Sequence, residues 1–122
     1  MKTLIKAITT LVAVMGAIHI AATFSPLIGG KLVGLDAGTY SAMIYMSLMC
    51  GLLLIVLGFF MTWAINKVTE HKVLTAPLIT AAALTLADGV MAVCYMPHNP
   101  FAWTIAVLCV AAFAATQHYL KR

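Results

Sequence analysis

Four apolar stretches cover nearly all of this chain: about Leu4 to Leu27, Ala42 to Ile65, Val73 to Met96 and Phe101 to Leu120. Each is near or above the ~20 residues that carry a helix across a hydrocarbon core. Inside lipid only helices and closed barrels satisfy every backbone N–H and C=O, and stretches of this length select helices. The connections between them are short, so successive helices are expected as antiparallel neighbours. The expected fold is an all-α integral membrane protein. It is one domain over residues 1–122, with four spans in an up-down-up-down bundle. Composition agrees, with 64% of residues hydrophobic and 8% charged. A soluble domain carries roughly 25% charged residues.

The beginning of the chain also has the outline of a secretory signal, with Lys2 and Lys6 before an apolar run that reaches Ala21-Ala22. The run is longer than a signal's apolar region, so a retained first span is expected.

A net charge of +4 does not point to nucleic acid here, because the basic residues sit at the ends of the apolar stretches. Lys2, Lys6, Lys67, Lys72, Lys121 and Arg122 fall on one side, and Lys31 falls on the other. Lys/Arg-rich ends mark the cytoplasmic face. The expected location is therefore an inner membrane, multi-pass, with both termini cytoplasmic. Tyr40, Tyr95 and Trp103 would mark the outer interface, and Trp63 and Tyr119 the inner one.

Asp88 is the only acid inside any of the four stretches. A carboxylate at membrane depth costs several kcal/mol unless it is paired, wet or protonated. Counted from the outer helix ends at 1.5 Å per residue, His19 lies roughly 9 Å deep and Asp88 roughly 12 Å deep. Their similar depth makes His19 the expected partner of Asp88, as an ion pair or as a neutral hydrogen-bonded pair.

Helical spacing extends the site. Thr85, Asp88, Ala92 and Tyr95 share one face, as do Met15, His19 and Thr23. Tyr45 and Met49 approach from the second helix. The candidate ligand-binding residues are thus His19, Asp88, Thr23, Tyr45, Met49, Thr85 and Tyr95, around a pocket open to the outer side. Thr23 and Thr85 are also expected to bond back to their own helices.

Metal and cofactor chemistry is weaker. Met43, Met46 and Met49 recur every three residues, with Met91, Cys94, Met96 and His98 also toward the outer side. Soft sulfur ligands suit Cu(I), but a methionine stripe at helical spacing serves first as adaptable packing. Haem would need two histidines at matching depth, and His19, His71, His98 and His118 do not offer that. No metal and no cofactor is assigned. Cys50, Cys94 and Cys109 form no CxxC pair and read as small buried residues rather than a disulfide framework.

Gly51 and Gly58 on the second helix permit close helix approach, as do Ala111, Ala112, Ala114 and Ala115 on the fourth. They imply internal packing first and a homodimer second. The element Gly16-Ala-Ile-His19 is too short to assign a family.

These residues support a small membrane protein that binds a lipid, a quinone, an isoprenoid or another hydrophobic small molecule. One alternative is a proton-coupled small-molecule transporter using Asp88. Another is a non-catalytic accessory subunit of a larger membrane complex. Enzymatic activity stays open, since a His–Asp pair can move a proton but nothing marks a nucleophile or a phosphate loop.

Overall fold

The structure is a computed structural model that describes residues 1–121; Arg122, counted above among the inner basic residues, lies outside the described residues. It is all-helical. Four helices follow one another: α1 (Lys2–Thr23), α2 (Ala37–Lys67), α3 (Thr75–Tyr95) and α4 (Pro100–Leu120), with 3₁₀ turns at Gly29–Leu32 and Lys72–Leu74. All four are long and apolar enough to cross a membrane.

The helix ends follow local chemistry. α1 stops at Thr23, four residues before the apolar stretch does. Pro26 disfavours helical geometry at Ser25, and the Ser25 hydroxyl donates to the Ala22 carbonyl at 2.8 Å. α2 starts at Ala37, five residues earlier than hydropathy indicates. There Asp36 acts as an N-cap, accepting from the Gly38 and Thr39 amides at 3.0 and 3.1 Å. The Thr39 hydroxyl donates to the other carboxylate oxygen. Gly34, at φ +97°, supplies the left-handed turn that leads the chain into this cap. Asn99 caps α4 by accepting from the Phe101 amide at 3.0 Å. Pro100 follows at the first helical position, where a missing N–H costs nothing.

At 31 residues α2 is the longest helix, roughly 46 Å at 1.5 Å per residue. Thr23, the last residue of α1, lies against Ser47, so residues 37–46 of α2 extend past the end of α1.

Each helix buries one stripe. On α1 it contains Ile5, Thr9, Val12, Ala13 and Gly16; on α2 Gly51, Leu54, Gly58, Met61 and Ile65. On α3 it runs through Leu78, Ala81, Ala82, Thr85 and Asp88, and on α4 through Ala102, Ile105, Cys109 and Ala112. Small residues recur on these buried faces. Larger ones such as Leu11, Phe59 and Val107 point outward. Soluble monomers rarely expose contiguous apolar surface on this scale, whereas lipid accepts it.

The tightest seam joins α1 to α2. A Cβ added at Gly16 would stand 2.5 Å from the Gly51 carbonyl oxygen, and one at Gly58 would stand 2.6 Å from the Thr9 carbonyl oxygen. Only glycine lets two backbones approach this closely. Gly51 and Gly58 therefore pack internally. Along the seam Thr9 meets Thr62, Gly16 meets Gly51 and Thr23 meets Ser47, so numbers rise on one helix as they fall on the other. α3 packs chiefly on α4, where Gly89 lies against Cys109. α1 also touches α4, and α2 also touches α3, so α1 and α3 stand diagonally opposite.

Candidate functional site

Two separate polar centres stand where the sequence suggested one. The first is a clasp across the α1–α2 seam. The Thr23 hydroxyl donates to the His19 carbonyl at 2.9 Å and lies 2.7 Å from Ser47 Oγ. Ser47 Oγ is in turn 3.1 Å from His19 Nε2. Each hydroxyl has a single proton. With Thr23's proton on the carbonyl, Ser47 donates to Thr23 and His19 donates from Nε2–H to Ser47. A face of the imidazole is turned to the Phe101 ring of α4, with ring centroids 6.2 Å apart. A second clasp closes the far end of the seam, where Thr9 and Thr62 hydroxyls lie 2.7 Å apart.

The second centre is Asp88. It is 8% exposed, on the buried face of α3. Its carboxyl makes no hydrogen bond or ion pair with any described residue; the ion pair present joins Lys67 to Glu70, 3.7 Å apart at the surface. Next to it on α3, Gly89 packs against Cys109 of α4, and Thr85, three residues earlier, lies near Met61 of α2.

His19 and Asp88 therefore do not meet, and the expected pair is corrected on two counts. Their helices are diagonal rather than adjacent. They also differ in level: His19 stands beside Phe101 of α4, whereas Gly89, next to Asp88, packs on Cys109, eight residues further along α4. At 1.5 Å per residue that places Asp88 roughly 12 Å further into the molecule. Depth counted from approximate helix ends could not resolve one or two turns.

The remaining candidates divide in the same way. Thr23 is buried in the clasp, and Thr85 is fully buried, donating to the Ala81 carbonyl at 2.8 Å with Met61 Sδ 3.7 Å away. Both bond back to their own helices, as expected of threonines inside helices. Tyr45, Met49 and Tyr95 point outward, with 64%, 45% and 84% of their surface exposed, and line no common pocket with Asp88. Met43, Met46 and Met91 also face outward. Cys50 and Cys94 are exposed, and only Cys109 is buried. An apolar stretch is not a buried one when the helix exterior is itself apolar. Among the described residues no three His, Cys, Asp or Glu side chains cluster as metal ligands would.

Ser47 and Phe101 are the partners that sequence reading missed. The signal for Ser47 was present: it and Thr62 are the only serine or threonine residues in the apolar stretch of the second helix. Each meets a hydroxyl of α1.

A groove of about 540 Å³ opens sideways between α2 and α3. Leu57 and Phe60 form one wall, and Pro77, Thr80, Ala81 and Leu84 form the other. A closed gap between Met15, Leu54, Ile105 and Cys109 is too narrow for water. Neither space is lined by His19 or Asp88. No family model, no curated protein and no solved structure matches this chain.

Proposed function

We propose that this chain is a small multi-pass protein of an inner membrane that binds a lipophilic or amphipathic ligand, with Asp88 receiving the ligand's polar group. One observation carries the reading: Asp88 is buried among helices, and no described residue partners its carboxyl. A carboxyl in apolar surroundings is costly unless something satisfies it. His19 does not, since its ring is engaged by Ser47 and Phe101. A polar group brought from outside the chain would satisfy the carboxyl. The distribution of Lys and Arg supports cytoplasmic termini and an up-down-up-down bundle. In this reading His19 holds α1, α2 and α4 together above the site rather than touching the ligand.

Native mass spectrometry of the full chain, released from membranes in mild detergent, tests the reading. The wild type is expected to carry a bound small molecule that Asp88→Asn loses. An Asp88→Asn protein that folds normally and keeps every bound molecule removes it.

Proton-coupled transport is the second reading, and the level of Asp88 favours it. Asp88 lies three residues from the midpoint of α3 (Thr75–Tyr95), roughly 5 Å from the helix centre. A group that must be reached alternately from both sides belongs there. Proteoliposomes that show no substrate-linked proton movement exclude this second reading.

A further inference from the structure

We propose that the groove between α2 and α3 is the seat of a cationic amphiphile, its positive head at Asp88 and its hydrocarbon tail lying along Leu57, Phe60, Pro77 and Leu84. The inference rests on Asp88 as the ligand's polar anchor and adds the class of ligand and its route of entry. Leu84 is the groove residue furthest along α3, and Asp88 follows it by four residues, one helical turn. Thr85, three residues before Asp88, lies 3.7 Å from Met61 Sδ of α2, one residue past Phe60 of the groove wall. The carboxyl thus stands at the head of the α2–α3 seam.

The seam is open there for a physical reason. α1 and α2 close on each other through Gly16, Gly51 and Gly58. α3 offers α2 the small residues Ala76, Thr80 and Ala81 opposite Leu57 and Phe60, which leaves space between the walls. The groove holds about 540 Å³ and is open along one side, a shape for a tail lying along the helices rather than for an enclosed ligand. The walls contain no charged side chain and a single hydroxyl, so they suit hydrocarbon. The groove opens to the side of the molecule, which in a membrane is the lipid itself, and a tail enters without crossing water. At its head stands a lone acid with no described cation beside it, and the chemistry that complements it is a positive charge.

The test uses the full-length protein in phosphatidylcholine nanodiscs and three radiolabelled probes with one tail: tetradecyltrimethylammonium, tetradecanol and tetradecyl sulfate. The ammonium probe is expected to bind saturably, about tenfold or more tighter than the alcohol, a difference of ~1.4 kcal/mol. Asp88→Asn is expected to erase that preference. Thr80→Trp, which fills the groove from an exposed position, is expected to weaken ammonium binding about tenfold at an unchanged melting temperature. Ala76→Trp serves if that variant misfolds. Val107→Trp, on the outward face of α4, is expected to bind as wild type.

The outcomes separate the two claims. Equal binding of all three probes, or tightest binding of the sulfate, overturns the cationic class. Normal binding by a folded groove-filling variant overturns the groove and leaves Asp88 as an anchor. Binding indifferent to Asp88→Asn overturns both.

Discussion

The Nε2 atom of His19 lies 3.1 Å from Ser47 Oγ, and the same oxygen lies 2.7 Å from the Thr23 hydroxyl. One serine thus links a side chain and a helix turn of α1 to α2. The imidazole belongs to the seam, which frees Asp88 from a role as its counterion.

Ser47→Ala removes the centre of this clasp. Interhelical hydrogen bonds in membranes contribute about 0.6 kcal/mol each and at most ~2. The variant is expected to lose about 1 kcal/mol in reversible unfolding from mixed micelles. Thr23→Ala is expected to lose a similar amount, and the double variant less than the sum. Full additivity would show that the three groups do not act together.

Gly16→Ala is expected to be costly although the change is one methyl group. The new Cβ would stand 2.5 Å from the Gly51 carbonyl and 2.9 Å from the Ile55 amide, backbone atoms that cannot swing aside. Overpacking of this kind costs about 1–3 kcal/mol. Ala17→Leu, one position along on the exposed side, is expected to leave stability unchanged. Equal melting temperatures for Gly16→Ala and wild type would refute the close seam.

Asp88→Leu is expected to stabilise the ligand-free protein by about 1 kcal/mol or more, because an acid near a helix centre carries a penalty and this one recovers nothing from a described partner. The same variant is expected to bind no ligand. A destabilised Asp88→Leu would instead make the carboxyl a structural staple.

Asp36 gives the chain an acid-sensitive helix end. Hydrogen bonds from the Thr39 hydroxyl and amide, with the Gly38 amide, hold its carboxyl below the usual carboxylate range. The contribution of a group lowered in the folded state is complete above its unfolded value and is lost as pH falls through the folded one. Gly38 and Thr39 amides, scaled for intrinsic rates, are therefore expected to lose protection from hydrogen exchange in acid below the ordinary Asp range. Asp36→Ala is expected to abolish that dependence and expose both amides at all pH values. Unchanged protection would refute the cap.

Much of the architecture is legible along the chain. Four stretches of spanning length became four helices, because apolar length is itself the physical requirement. The end of α1 and the start of α2 moved by four and five residues for local reasons that hydropathy ignores. Ser25-Pro26 stops one helix, and Asp36 with Thr39 starts the other early.

The site was less legible. Spacing correctly grouped His19 with Thr23 and Asp88 with Thr85, since a helix fixes which residues share a face. It could not say what each face meets. Tyr45, Met49 and Tyr95 looked polar or soft enough for a pocket and instead point outward.

The sequence alone determined that four apolar helices form and that Asp88 is the one acid among them, because both follow from composition read along a line. Only tertiary structure decided which helices are neighbours and how each is turned about its axis. Those choices are made by close contacts between distant residues. Gly16 against Gly51 and Gly58 against Thr9 bring α1 and α2 together with His19 beside Ser47, while Asp88 lies on the diagonal helix. Depth is one coordinate and rotation another, and hydropathy along the chain reports only the first.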